Sequence, residues 1–193
     1  MTLVDTPVDI LYKEYLSIVE FLDSNAQPSL SSDVNKYFKK VITLSAASYF
    51  EHEVQEILVK FINKKTNNDV AALNFFKKKA INLQYHTYFV WGEKGNPNGS
   101  GNNANNFFAL FGDEFKEEAK KRVKQSQNLQ LSVKAFIEIG HLRNILVHSN
   151  FAAYDFDNKT TEEIVDLYRS SLTFISFVED LLLAEININN DEN

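Results

Sequence analysis

The residues from Arg143 to His148 combine side chains that can bind an anion and move a proton. Arg143 carries a forked guanidinium that stays charged and can bind two phosphate oxygens at once. Histidine side chains change charge near neutral pH, so His148 can accept or donate a proton. Asn144 and His141 precede His148 by four and seven residues, which puts the three on one helical face. This set can handle a phosphate group without a metal ion.

An apolar helix must position these groups. Apolar residues at helical spacing predict a buried helix over about 129–148: Ala135, Phe136, Ile139, Leu142, Leu146 and Val147. A buried, unpaired Arg143 would be costly, so it needs an anionic neighbour or an interface. We expect Glu51, at the edge of an apolar face on an earlier helix, to be that neighbour; a solvent-exposed Glu51 is the alternative.

The geometry of a regular helix separates Arg143 from His148. Five positions leave the two side chains roughly 140° apart around the axis. They meet if the helix end turns His148 back, or if a second copy of the chain brings its own residues across a two-fold axis. The spacing permits a shared dimer site without requiring one.

The rest of the chain predicts an all-α protein. Sixteen Phe and eight Tyr against three Pro and six Gly are typical of long packed helices. We expect one domain over 1–193, with helices near 8–23 and 32–65, after Asp69, from Asp113 to about Lys124, over 129–148 and after Thr160 or Thr161. The stretch 83–91 suits a strand almost as well as a helix. A Gly/Asn-rich exposed loop is expected at 92–106 and a frayed tail at 187–193.

Composition excludes several functions. The chain has no cysteine, so it can form neither disulfides nor thiolate metal sites. His52 and His86 lack a second ligand at helical spacing, and we expect neither a metal nor a cofactor. The N-terminus has no basic signal region, and no apolar run approaches the roughly 18 residues of a membrane span. These features predict a cytoplasmic protein without membrane contact.

Three segments of the chain, together with the motif spacing, resemble a known family. The spacing R-N-x-x-x-H in Arg143 to His148 is similar to the signature of the HEPN superfamily. Residues 46–51, 105–112 and 139–150 are similar to its RiboL-PSP-HEPN group. The resemblance implies an antiparallel helical bundle that works as a homodimeric, metal-independent endoribonuclease in defence or toxin systems. Some HEPN toxins carry a tyrosine at the position of Asn150, so regulation through that tyrosine is not expected here.

The resemblance also implies roles for particular residues. Arg143, His148 and Asn144 would be catalytic, and Glu51 and His141 would support them. RNA cleaves when its 2′-hydroxyl attacks the adjacent phosphate, which requires a proton acceptor, a stabiliser of the phosphorane and a proton donor. Two copies of Arg143 and His148 in one dimer cleft would supply all three.

RNA binding would have to rest on local basic clusters, because the formal net charge is −6. The clusters are Lys36/Lys39/Lys40, Lys77–Lys79, and the run 116–124 with Lys120, Lys121, Arg122 and Lys124. Each can also be a solvated helix face. We expect the last cluster to contact phosphates near the cleft mouth.

The final helix has two apolar stripes, one of which must pack under other helices or against a partner. We expect Phe174 or Phe177 to anchor a dimer interface formed by this helix and the helix ending at His148. An antitoxin or sensor protein is a further possible partner. The acidic charge and the two-sided helix also suit a different class, a non-catalytic helical interaction or scaffold module.

Overall fold

The computed structural model describes residues 5–91, 103–154 and 159–184. Over these ranges the protein is helical and contains no strand, which confirms the all-α prediction. The helices are α1 Pro7–Ser24, α2 Pro28–Lys65, α3 Val70–Phe76, α4 Asn82–Tyr88, α5 Asn105–Ala109, α6 Asp113–Gln125, α7 Gln127–His148 and α8 Thr161–Leu183. A π-helical segment, Lys77–Ile81, joins α3 to α4.

Three predicted boundaries differ from the structure or lie outside its described part. The expected loop at 92–106 ends earlier, because Asn105 already begins α5, and its residues 92–102 lie outside the described residues. The tail at 187–193 also lies outside them. Helix α2 begins at Pro28 rather than near 32. Proline suits the first position of a helix because its fixed φ is helical, and because the backbone N–H that it lacks would have no partner within the helix there.

Side-chain hydrogen bonds cap the N-termini of α1, α7 and α8. Thr6 and Asp9 form a reciprocal capping box at α1, and Thr160 and Glu163 form another at α8. The Ser126 side chain accepts a hydrogen bond from the Leu129 amide and starts α7. These caps determine the residue at which each of the three helices begins.

The core lies where α2, α7 and α8 pack together. The Phe50 ring on α2 lies 5.4 Å from Phe136 on α7 and 5.3 Å from Tyr168 on α8, between ring centroids. Phe136 in turn lies 4.8 Å from Phe174 on α8. Helix α1 packs against α2 and reaches α8 near its own N-terminus, where the Tyr168 hydroxyl donates to Thr6 Oγ1 at 2.7 Å. These contacts make α7 a central, rigid support for the motif residues at its end.

Both apolar stripes of α8 are used within the chain. Phe174 is 0 % exposed and packs against Phe136 and Phe108, so the prediction that it anchors a partner interface is wrong. Phe177 is half-buried, with its ring 6.4 Å from that of Phe108. The second stripe arises because α8 packs against α7 and α5 as well as α2.

Candidate active site

Helix α7 carries the motif and ends at its histidine. The five predicted core residues Ala135, Phe136, Ile139, Leu142 and Leu146 are buried as expected, but Val147 is 53 % exposed. The next residue, Ser149, has extended backbone angles that end the helix. Val147 and His148 therefore occupy the last helical turn and face solvent.

The motif side chains divide between two environments. Arg143 is half-buried, and its Nη1 donates to Asn144 Oδ1 at 3.2 Å. Both residues line a pocket between α2, α4 and α7, whereas His148 does not line it. His141 is half-buried and also lies outside the pocket lining. The structure thus brings Arg143 and Asn144 together and leaves His148 exposed at the helix end.

The pocket contains the carboxylate that the sequence predicted as a neighbour of Arg143. Glu51, half-buried on α2, lines the same pocket as Arg143. No ion pair or hydrogen bond of Glu51 occurs in the part of the chain that the structure describes. Glu51 therefore lies beside Arg143 without neutralising it through direct contact.

Aromatic residues from the segment 85–91 form the opposite wall of the pocket. Tyr85 lies on α4, and Trp91 follows the helix, donating from its indole Nε1 to the His86 carbonyl at 3.1 Å. The indole lies directly on the backbone of α7 at Gly140: a Cβ there would lie 2.0 Å from the Trp91 ring. Glycine is required at 140 because the ring occupies the space of a side chain.

The electrostatics of the pocket act on the Tyr85 hydroxyl. Burial raises the pKa of Tyr85, the Glu51 carboxylate raises it further, and the Arg143 guanidinium opposes both. Tyr85 therefore stays neutral, with a hydroxyl that can donate or accept. Tyr85 and Trp91 could not be singled out from the sequence, because their segment suits a strand almost as well as a helix and only the fold brings it to Arg143.

A buried lysine holds the loop that follows His148. Lys40 on α2 is 0 % exposed, and its Nζ donates to the Phe151 carbonyl at 2.8 Å. The same Nζ lies 5.3 Å from the ring centroids of Tyr37 and Phe151. The interpretation of Lys40 as part of a solvated basic face is wrong, because cation–π contacts and a carbonyl bind its ammonium instead. An otherwise apolar neighbourhood on α2, with Val41, Ile42 and Leu44, was the available signal.

The basic residues of α6 lie at the other end of α7. Lys120 contacts Glu117 at 2.9 Å and Arg122 contacts Glu118 at 2.7 Å, so these cations pair along their own helix. Lys121 lies 4.0 Å from Glu118. Lys120, Lys121 and Lys124 line a second depression with Val133 of α7, and Arg143 lies ten residues, about 15 Å, further along that helix. Within one chain the structure does not bring this cluster to the pocket.

The chain belongs to the RiboL-PSP-HEPN family, whose model matches residues 9–184. The match spans all eight α-helices in whole or nearly so and includes the pocket and the motif. Searches of curated proteins and of solved structures gave no match. Membership in a HEPN-type family therefore rests on the family model together with the helical bundle.

The described residues contain neither a metal-binding cluster nor a membrane-spanning helix. No three His, Asp or Glu side chains within 5–91, 103–154 and 159–184 lie close enough together to hold a metal ion. None of the helices in these ranges is long and apolar enough to cross a membrane.

Proposed function

We propose that this protein is a metal-independent endoribonuclease whose active site is completed by a second copy of the chain. The observation that carries the proposal is the division of the motif. Arg143 and Asn144 line the pocket, while His148 is exposed on the last turn of α7. One chain presents half of a site, and a two-fold axis near His148 would join two halves.

The chemistry follows from the side chains that such an axis would bring together. His148 of one subunit removes the proton from an RNA 2′-hydroxyl, and the 2′-oxygen attacks the adjacent phosphorus. Arg143 binds the non-bridging oxygens, whose negative charge grows in the phosphorane. The bond to the 5′-oxygen breaks, and His148 of the partner subunit donates a proton to that oxygen. The products are a 2′,3′-cyclic phosphate and a free 5′-hydroxyl.

Exposed apolar residues beside His148 support the two-fold contact. Tyr37 and Val41 share one face of α2, and Val147 and Phe151 flank His148 in sequence; these four exposed residues are here called the motif-side patch. Tyr37 and Phe151 both contact Lys40, which links α2 to the end of α7. Burying this patch against its own copy would remove apolar surface from water and exclude water from the cleft. We therefore propose that the dimer interface lies on α2 and the end of α7 rather than on α8.

Cleavage of labelled RNA in EDTA tests the activity. Arg143→Ala and His148→Ala should each abolish cleavage, while His52→Ala, a change at an exposed histidine of α2, should leave it intact. The wild-type products should end in a 2′,3′-cyclic phosphate. Cleavage that survives in both motif variants, or fragments with a 5′-phosphate, would contradict the mechanism.

Charge substitutions at equally exposed positions test the dimer. Val41 is 39 % exposed in the motif-side patch, and Ile18 is 40 % exposed on α1. Val41→Asp should give a monomer that does not cleave RNA, and Ile18→Asp should remain dimeric and active. Sedimentation velocity at low micromolar concentration measures both. A wild-type monomer that cleaves RNA would refute the shared site.

Expression in bacteria tests the biological role as a toxin or defence effector. The wild type should slow growth, with or without phage challenge, and His148→Ala should not. Normal growth under both conditions would instead favour a helical interaction module, for which the exposed motif-side patch would be the binding surface. Copurification of a second protein that restores growth would identify an antitoxin.

A further inference from the structure

The pocket beside Arg143 contains polar groups that the protein itself leaves without partners. Within the described residues, the Glu51 carboxylate and the Tyr85 hydroxyl make no hydrogen bond. Arg143 uses one donor on Asn144, whose amide nitrogen remains available. These half-buried groups converge on one open cavity, so a ligand that enters it can form hydrogen bonds with all of them.

The walls of the pocket are suited to a flat ring. The half-buried rings of Tyr85 and Trp91 contribute accessible aromatic surface, and Leu83 adds an aliphatic side at the rim, while Phe50 and Phe136 line the pocket from the core. Aromatic side chains stack on the unstacked bases of single-stranded RNA. The cavity measures about 100 Å³, whereas an engineered apolar cavity of roughly 150 Å³ holds one benzene ring. This smaller pocket is open on one side, so it can take the edge of a ring, and its size matches a single-ring pyrimidine better than a two-ring purine.

The hydrogen-bonding groups complement the edge of a pyrimidine. A pyrimidine base presents an N–H donor beside acceptor oxygens or nitrogens, and carboxylates accept from the cytosine amino group. Glu51 can accept that hydrogen bond. The Asn144 amide and the Tyr85 hydroxyl can donate to the neighbouring acceptors, which leaves Arg143 for the phosphate.

We infer that this pocket binds the pyrimidine base of the nucleotide adjoining the cleaved phosphate, with Glu51 and Tyr85 as residues that determine specificity. The inference rests on the proposed RNA cleavage for its biological meaning. Base binding itself is a separate event that can be measured without catalysis.

The only tryptophan of the chain, Trp91, lies in the pocket wall and reports binding directly. Its fluorescence, excited at the red edge of its absorption, is followed while 2′-deoxy oligonucleotides are added, because these cannot undergo 2′-hydroxyl attack. Purine oligomers that carry one cytosine or one uracil should change the Trp91 fluorescence saturably. Comparing the affinities of these two oligomers shows which pyrimidine is preferred. Oligomers made of purines alone should leave the Trp91 fluorescence unchanged.

Conservative variants assign the effect to the pocket. Glu51→Gln should weaken binding of the preferred oligomer about tenfold, since one hydrogen bond to a charged group is lost. Glu53→Gln, two residues further on the same helix, should leave binding unchanged, and circular dichroism should show that both variants are folded. Equal responses to purines and pyrimidines, or none to either, would overturn the inference.

Cleavage patterns separate this inference from the proposed function. Wild-type protein should cut a mixed RNA next to pyrimidines, and Glu51→Gln, whatever its overall rate, should distribute its cuts without that preference. Pyrimidine binding without any RNA cleavage would leave the pocket assigned and refute the ribonuclease. Cleavage at the same positions in Glu51→Gln and wild type would refute the pocket.

Discussion

Two polar clusters of this protein differ in how completely their groups satisfy one another. Where α1 meets α8, Tyr168 donates to Thr6, and Thr6 exchanges hydrogen bonds with Asp9. Arg169 reaches the same carboxylate at 3.4 Å. In the pocket, Arg143 bonds only to its neighbour Asn144 among the described residues.

Under the proposed function, this difference separates a structural contact from a binding site. In the α1–α8 cluster each hydrogen bond joins two helices or caps one, so its free energy stabilises the fold. In the pocket, Glu51 and Tyr85 make no hydrogen bond among the described residues, so both groups are available to a ligand. Similar residue types thus stabilise the fold in one region and, under the proposed function, bind RNA in the other.

Replacing one arginine in each cluster by lysine should give the largest contrast. Arg143→Lys keeps the charge but loses the fork that holds two phosphate oxygens, so RNA cleavage should fall about 100-fold with little change in unfolding free energy. Arg169→Lys should leave cleavage unchanged. Initial rates on a fixed RNA measure both, and equal losses in the two variants would contradict the comparison.

Adding one methyl group next to the pocket should have the next largest effect. The Cβ of Gly140→Ala would lie 2.0 Å from the Trp91 ring, so the indole must move, at a cost of about 1–3 kcal/mol in unfolding free energy. Ser132→Ala on the same helix is the matched control. Its buried hydroxyl has no partner in the described part of the chain, so its removal should be neutral or stabilising. Urea unfolding and Trp91 fluorescence follow both variants.

The helices and the motif were predictable because local patterns determine them. Apolar spacing gave α1, α2 and α7 to within a few residues, and Thr160 with Glu163 marked the start of α8. Arg143 and Asn144 could be singled out by type and spacing. The sequence also placed Glu51 on the correct helix, and the structure places it in the pocket with Arg143.

The features that were missed depend on contacts distant in sequence. Trp91 reaches the pocket only because Gly140, 49 residues later, leaves room for its ring. Lys40 is buried because the Phe151 carbonyl, 111 residues away, accepts its hydrogen bond. The second stripe of α8 packs on Phe108, which a helical pattern of α8 alone cannot reveal.

Removing one tyrosine hydroxyl from each polar cluster should change the unfolding free energy by a smaller amount, and only in the α1–α8 cluster. Tyr168→Phe deletes the donor to Thr6 and should lower the unfolding free energy by about 1 kcal/mol. Tyr85→Phe removes a hydroxyl without a partner in the described chain and should leave stability almost unchanged. Urea unfolding distinguishes them, and an equal loss in Tyr85→Phe would mean that its hydroxyl serves the fold.

The smallest expected effect is a pH dependence confined to the α1–α8 cluster. Burial raises the pKa of Asp9, but hydrogen bonds from Thr6 and the nearby Arg169 outweigh it, and the pKa lies below its ordinary value of 3.8. A depressed carboxyl pKa contributes stability that is fully present above the ordinary value and is lost as pH falls through the depressed one. The unfolding free energy of the wild type should therefore fall more steeply in this acidic range than that of Asp9→Asn, whose amide cannot titrate. Parallel curves for the two proteins would show that Asp9 is not held by the cluster, and the contrast with the pocket would then rest on Tyr168 alone.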